Sequence, residues 1–218
     1  LYRAYKFGTP NDFNSISIEL KNESELLTKN IIPAQKLKAE TLMNRFELLY
    51  KSVGFYMLSF IFLCLNFIFN KSIVRKLSLY LLATGMILHL INVTLRCFIL
   101  SRPPVSNLYE SIIFVSLISV IFSFIFELKN KDGLGLFIGS IIGSILLFIS
   151  FGYQKDGDTL GMLVAVLDTN FWLATHVVTI SIGYGCGLVA SLLAHAYLIK
   201  KVVGKSKEAL NVFEKNIH

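Results

Sequence analysis

The stretch LDTNFWLATHVVTISIGYGCG, residues 167–187, places a histidine just inside the start of a long apolar helix. This histidine, His176, follows Trp172, the chain's single tryptophan, by about one helical turn. An imidazole in an apolar medium costs free energy unless a partner binds it. From the residues alone two partners stay open. One is a metal centre such as a haem iron, and the other is a water, headgroup or main-chain carbonyl at a membrane surface.

The composition of the whole chain is typical of a membrane protein. Hydrophobic residues make up 54% of the 218 and charged residues only 16%, and the mean hydropathy is +0.63. A soluble domain of this length does not need so much apolar sequence. Five apolar runs are each about long enough to cross a bilayer, at 53–69, 77–100, 108–126, 134–151 and 171–199. We therefore predict an all-α fold: a polytopic membrane bundle of about five transmembrane helices with a small extracytoplasmic N-terminal region.

The chain divides into three predicted parts. Residues 1–50 are polar and are interpreted as the tail of an extracytoplasmic region, with a short strand at 15–20 and a surface helix leading into the membrane. Residues 51–200 hold the transmembrane helices, and 201–218 form a basic cytoplasmic tail. Lys and Arg concentrate at 71–76 and after 200, which predicts that both segments face the cytoplasm. The 101–107 loop and His176 then lie at the outer surface.

Charge and cysteine content exclude several function classes. The net charge of +7 sits largely in short loops, where it sets topology, so membrane lipid and not nucleic acid is the expected partner. Cys64, Cys97 and Cys186 lie in separate apolar runs without CxxC spacing, which argues against a disulfide framework or a zinc site. No phosphate-binding glycine loop, HExxH motif or nucleophile with a paired base is present, so the pattern of an ordinary kinase or hydrolase is absent.

A polar stripe crosses the second apolar run. His89, Asn92 and Arg96 are spaced to project from one helical face, which we expect to face the bundle interior. An ionisable group inside a membrane marks a functional position by default. The alternative is a buried hydrogen-bonded pair with an arginine that reaches the outer surface. A further alternative is that Arg96 instead meets a carboxylate, either Glu110 or a propionate of a bound haem.

Glycine spacing predicts how the fourth and fifth membrane helices pack, and polar residues predict the two ends of the fifth. Gly139 with Gly143, and Gly183 with Gly187, both have GxxxG spacing, which suggests that the fourth and fifth helices touch. Two further assignments concern the fifth helix: His195 is placed at the cytoplasmic interface, and the residues that cap the helix start are Asp168 or Thr169.

Two segments resemble the CcsA/ResC haem-handling family of cytochrome c maturation system II and its fused CcsBA form. SRPPVSNLYES, residues 101–111, resembles the family's outer-loop signature, and WLATHVVTISIGYG, residues 172–185, resembles a segment whose histidine is an external axial ligand to haem. The loop motif covers Pro104, Val105, Ser106, Asn107, Leu108, Tyr109, Glu110 and Ser111.

The resemblance implies a function and a site. It implies part of a cytochrome c synthase, or haem lyase, in the bacterial inner membrane. Such a protein exports haem b, its substrate and ligand, to the periplasmic face and presents it to a CxxCH apocytochrome c for thioether attachment. His176 would be the axial ligand to the haem iron. The candidates to line the haem pocket are Trp172, Phe171, Tyr184 and Arg96.

The chain also departs from the family pattern. The tryptophan-rich WWD segment, the second external histidine and the later transmembrane histidine of the family are absent. We therefore expect a fragment or one half of a split protein, with a CcsB/ResB-type part before it and the WWD-containing CcsA part after His218. Two other classes stay open: a b-type haem redox subunit, and a non-catalytic membrane scaffold or transporter piece.

Overall fold

The computed structural model describes residues 10–28, 33–69, 71–103, 105, 107–154 and 170–203, and within them all regular structure is helical. The predicted all-α class is therefore confirmed. The predicted caps Asp168 and Thr169, loop residues Pro104 and Ser106, and the tail from 204 lie outside the described residues. The helices are α1 Pro10–Thr28, α2 Ala34–Phe46, α3 Leu48–Phe69, α4 Ser72–Leu100, α5 Leu108–Asn130, α6 Leu134–Gln154 and α7 Asn170–Val203.

The strand predicted at residues 15–20 is wrong, because this segment lies inside α1. A strand needs a neighbouring strand for its backbone groups, whereas a helix satisfies them locally. Pro10 opens the helix, where its missing N–H costs nothing. The hydroxyls of Ser15 and Ser17 donate to main-chain carbonyls three residues earlier. Alternation of Ser and Ile over so short a stretch did not outweigh these local interactions.

Among the described residues, five helices are long and apolar enough to cross a membrane, which confirms the predicted multi-pass bundle. Their candidate spans are Gln35–Phe69, Ser72–Leu100, Leu108–Asn130, Leu134–Tyr153 and Thr175–Ile199. The chain also separates into two compact units, Leu1–Arg45 and Phe46–His218. The second unit contains α3 to α7 and holds all the candidate site residues.

Tyr56 of α3 lies at the centre of the second unit and is fully buried. Two glycines on neighbouring helices leave room for its ring. A Cβ added at Gly85 would come within 2.8 Å of the Tyr56 ring, and one added at Gly143 within 2.7 Å. Both distances are too short for a real side chain, so α3, α4 and α6 pack this closely only because these positions are glycine.

Paired serines also join α3 to α4. The Ser59 hydroxyl donates to the Ser78 carbonyl at 2.9 Å, and the Ser78 hydroxyl donates to the Ser59 carbonyl at 2.8 Å. Both side chains are fully buried. Small hydroxyl residues let helix backbones approach, and their hydrogen bonds satisfy groups that lipid cannot.

The predicted contact between the fourth and fifth membrane helices is present, but it does not use the GxxxG glycines. Val189 of α7 packs in one cluster with Ile138 and Ile142 of α6. Gly183 and Gly187 have no neighbouring atom within 4 Å of an added Cβ, so they lie on an open face of α7.

The glycines of α6 face other helices. A Cβ at Gly139 would meet Ser123 of α5, and one at Gly143 would meet Val120 of α5 as well as Tyr56. The spacing therefore marked close helix packing correctly but assigned the wrong partner, because a GxxxG pattern specifies small residues on a face and not the helix that covers it.

Candidate functional site

The start of α5 is formed by the outer-loop motif. Asn107 adopts an extended conformation and its side-chain oxygen accepts the Glu110 N–H at 2.7 Å, which satisfies one of the free amides of the first helical turn. The Ser111 hydroxyl donates to the Val105 carbonyl at 3.4 Å. Val105 and Tyr109 are buried and Leu108 is exposed. The described part of the motif therefore folds back on the helix that it begins.

A buried charge cluster lies directly below this turn. The Glu110 side chain is fully buried. Its Oε1 lies 3.9 Å from Arg96 Nη1 and 3.8 Å from Arg102 Nη2. The two arginine side chains are only 5% and 15% exposed. Of the two carboxylate partners that the sequence left open for Arg96, the structure contains Glu110.

Tyr109 also contacts Arg96. The Arg96 guanidinium lies 4.8 Å from the centroid of the Tyr109 ring, in cation–π range, and one of its N–H groups donates to the Tyr109 hydroxyl at 3.5 Å. Arg96, Arg102, Tyr109 and Glu110 thus form one group, which we call the outer charge cluster. It contains two guanidinium groups for one carboxylate.

A second polar group lies deeper in the bundle. His89 is fully buried, with 0% of its surface accessible, and its Nδ1 lies 3.2 Å from the Tyr56 hydroxyl oxygen. Its other ring nitrogen, Nε2, makes no hydrogen bond of acceptable geometry with the described residues. Asn92 is 4% exposed. The expected inward orientation of the stripe is therefore confirmed for His89, Asn92 and Arg96.

His176 lies on the open face of α7. Its side chain is exposed, as are those of Phe171, Trp172 and Tyr184, the last two being 64% exposed. The rings of Phe171 and Trp172 meet edge to face with centroids 5.4 Å apart. At about 100° per residue, His176 shares one side of the helix with Trp172, Gly183 and Gly187.

The opposite side of α7 attaches it to the bundle. A Cβ at Gly185 would come within 2.6 Å of Ile118 in α5, and the Ser119 hydroxyl donates to the Gly185 carbonyl at 3.2 Å. Helices α5 and α7 start from the same end of the bundle. Glu110 lies nine residues before Ser119 in α5, and His176 lies nine residues before Gly185 in α7. Because Ser119 contacts Gly185, the outer charge cluster and the exposed histidine lie at a similar depth.

The open face of α7 presents an exposed histidine and an exposed tryptophan. His176 offers an imidazole, Trp172 an aromatic surface one turn away, and the two glycines leave the backbone uncovered. A neutral imidazole is a ligand that haem iron accepts. Among the described residues, no group of three or more His, Cys, Asp or Glu could hold a metal ion, and the three cysteines are free.

The structure does not bring all the candidate residues together. Arg96, Tyr109 and Glu110 are joined in the outer charge cluster, and His89 pairs with Tyr56. The four α7 candidates are all exposed, but Phe171 lies about 140° around the helix from His176. His195, at the other end of α7, is also exposed, and its ring lies 2.7 Å from the Ser191 carbonyl.

Sequence reasoning missed three residues with clear roles. Tyr56 is the partner of His89, Arg102 is the second guanidinium on Glu110, and Glu127 is buried at the far end of α5. The Glu127 carboxylate accepts from Arg75 at 3.1 Å and from the Gly133 N–H at 3.0 Å. A carboxylate near the end of an apolar run was the signal for Glu127, since such a group needs a partner inside the bundle.

Comparison with known proteins gives a consistent result. A family model described as "Cytochrome C assembly protein" matches residues 105–216. A "Cytochrome c biogenesis protein CcsA" from Guillardia theta is 36% identical over 114 residues, which is 50% of this chain and 36% of that protein. A protein of the same name from Coffea arabica is 35% identical over 115 residues, 50% of this chain and 35% of its own length.

A longer match is to "Protein NrfI" from Wolinella succinogenes, 31% identical over 163 residues, 71% of this chain and 18% of that protein. No solved structure matches the chain. The chain thus spans about a third or less of the length of the curated relatives named here.

Proposed function

Because the chain belongs to the cytochrome c assembly protein family, whose model covers residues 105–216, we propose that it is part of a cytochrome c synthase. In this proposal the complete protein lies in a bacterial cytoplasmic membrane and exports haem b, its substrate, to the outer face. It presents the haem vinyl groups to the CxxCH motif of an apocytochrome c. Each cysteine thiol adds across one vinyl double bond, so that one C–S bond forms and the proton goes to the other vinyl carbon.

The observation that carries the proposal is the position of His176. It lies within the matched family segment, near the start of α7, and its imidazole is exposed on a face that the described bundle leaves open. A neutral imidazole there donates its lone pair to the haem iron. Trp172, one turn away, contacts a porphyrin face, and Gly183 and Gly187 let the macrocycle or another helix approach the backbone.

Other residues hold the haem in place. Phe171 and Tyr184 are exposed aromatics that line the edge of the macrocycle. The outer charge cluster lies at the depth of His176 and carries two guanidinium groups for one carboxylate, so Arg96 attracts a propionate while Glu110 keeps the arginines in place. The outer-loop residues shape this end of α5 and do not touch iron.

The remaining partners are supplied outside this chain. A second axial ligand and the WWD segment belong to the other CcsA part, and a CcsB/ResB part completes the synthase. Two axial ligands shield the iron from oxygen until the histidine of the CxxCH motif replaces one of them. His89 and Asn92 stabilise the bundle interior in this scheme.

The test is haem attachment to a co-expressed apocytochrome c by the complete protein. His176→Ala is expected to abolish covalent haem attachment, because the iron loses its ligand. The matched control is His195→Ala, which removes an exposed histidine from the other end of the same helix and is expected to leave attachment unchanged. Normal cytochrome c formation by His176→Ala would refute the proposal.

The same preparations separate the alternatives. A reversible haem redox titration in a protein that attaches no haem to apocytochrome c would favour the b-type redox subunit. A complete wild-type protein that purifies without haem would favour the scaffold or transporter reading.

A further inference from the structure

A cavity of about 790 Å³ opens at the opposite end of the bundle from His176, where α3 ends, α4 begins and α5 ends. One water occupies about 30 Å³ of liquid, so the cavity has room for a much larger polar group. Its walls include Arg75 and Lys76 of α4 and Lys131 just after α5. We call it the basic pocket.

Both carboxylates in the pocket wall accept hydrogen bonds, and Glu127 is also ion-paired. Glu127 accepts hydrogen bonds from Arg75 and from the Gly133 N–H. Asp132 accepts the Leu134 N–H at 3.1 Å. These contacts hold Arg75 against Glu127 and leave the two lysine ammonium groups at the pocket without an ion-pair partner among the described residues.

The lysines are free to face a ligand. Lys76 and Lys131 are both exposed, and neither forms a salt bridge with a described residue. Arg75, Lys76 and Lys131 give the wall three positive charges against the two negative charges of Glu127 and Asp132, so its net charge is about +1. The polar wall therefore favours a ligand with at least one negative charge.

The other wall of the basic pocket is apolar. Phe67 is 65% exposed and Leu128 is 50% exposed, and Leu79 is partly buried behind them. All three lie on helices that are apolar enough to span a membrane, at the end where those helices leave it. The pocket thus offers positive charge and hydrocarbon surface side by side, which matches the two halves of a membrane lipid.

We propose that the basic pocket binds the anionic headgroup of a membrane phospholipid. The phosphate lies between Lys76 and Lys131, and an acyl chain runs along Phe67 and Leu128. Basic pockets between transmembrane helices recognise acidic headgroups through such an arrangement of charge. A free phosphate shares the headgroup's charge but has no acyl chain, so only a lipid uses both walls of the pocket.

The experiment measures binding of a phosphatidylglycerol to the full chain, purified in neutral detergent, by native mass spectrometry at increasing lipid concentration. The test variant is Lys76→Gln with Lys131→Gln. The control is Lys71→Gln with Lys129→Gln, which removes the same charge from two nearby lysines that do not line the pocket. At about 1 kcal/mol for each lysine at the membrane surface, the test variant is expected to bind roughly 25-fold more weakly.

The control is expected to change binding by less than about threefold, because charges outside the site are screened within about a Debye length. Lys76→Arg with Lys131→Arg is expected to bind like the wild type and shows that charge is what matters. Equal weakening in test and control variants, or none in the test variant, would overturn the proposal. Inorganic phosphate that binds as tightly as the lipid would also overturn it, in favour of a soluble anion.

Discussion

Glu110→Gln tests the outer charge cluster, because it removes one charge and keeps the shape of the side chain. The wild-type carboxylate is fully buried and faces Arg96 and Arg102, which are almost as buried. After the substitution both guanidinium groups lose the Glu110 carboxylate and remain in a low-dielectric interior. The ion pairs with Glu110 no longer offset the free-energy cost of burying the two guanidinium groups away from water.

The expected loss of unfolding free energy follows from the geometry. Removing one partner of a buried ion pair typically costs about 3–5 kcal/mol. The two N–O distances of 3.9 and 3.8 Å are near the upper limit for an ion pair, so each Coulomb attraction is weaker than at close contact. We expect a loss of about 3 kcal/mol for Glu110→Gln.

The assay is reversible unfolding in mixed micelles as the fraction of sodium dodecyl sulfate increases, followed by circular dichroism. Glu47→Gln is the control, because Glu47 is exposed and its substitution is expected to change stability by less than about 0.5 kcal/mol. Adding Arg96→Met to Glu110→Gln removes one stranded cation, so the double variant is expected to recover about 1–2 kcal/mol relative to the sum of the single losses. A loss below about 1 kcal/mol for Glu110→Gln, or strict additivity in the cycle, would refute the account of this cluster.

Three further tests, with five substitutions, probe the interior and the start of α5 in the same assay. Tyr56→Phe removes the hydroxyl 3.2 Å from His89 Nδ1 and is expected to cost about 1–2 kcal/mol, because the imidazole loses its partner; an unchanged midpoint would show that this hydrogen bond adds nothing. Gly143→Ala places a Cβ within 2.7 Å of the Tyr56 ring and is expected to cost about 1–3 kcal/mol, whereas Gly183→Ala meets nothing within 4 Å and is expected to be neutral or slightly stabilising; equal effects of the two would contradict the packing described for α6. Asn107→Ala is expected to cost about 1 kcal/mol and Asn107→Asp far less, since only the first loses the cap on the Glu110 N–H; equal losses would remove the cap from the account.

Sequence patterns predicted best where the membrane leaves few choices. Long apolar runs had to form helices, because lipid satisfies no backbone group. His89, Asn92 and Arg96 had to face inward because lipid does not satisfy polar side chains either, and their burial confirms this orientation. The inner partners were harder to predict. A tyrosine such as Tyr56 in an apolar run is also typical of a membrane interface, and only the packing of three helices shows that it meets His89.

Contacts that depend on helix arrangement could not be read from spacing. Gly183 and Gly187 have the same pattern as Gly139 and Gly143, yet one pair is open and the other is packed. The difference comes from which faces of α6 and α7 the rest of the bundle covers. Similarly, the strand predicted at residues 15–20 failed because alternation alone does not provide a partner strand.

The central claim is that His176 binds haem iron, and an absorption spectrum of the complete protein tests it most directly. Wild type and His176→Ala are compared in the reduced state, with and without added imidazole. The account predicts that the variant loses the reduced-haem bands and that imidazole, by taking the place of the missing side chain, restores them. Bands of equal intensity and position in both proteins without imidazole would contradict it and would make His176 a structural residue of the open face of α7.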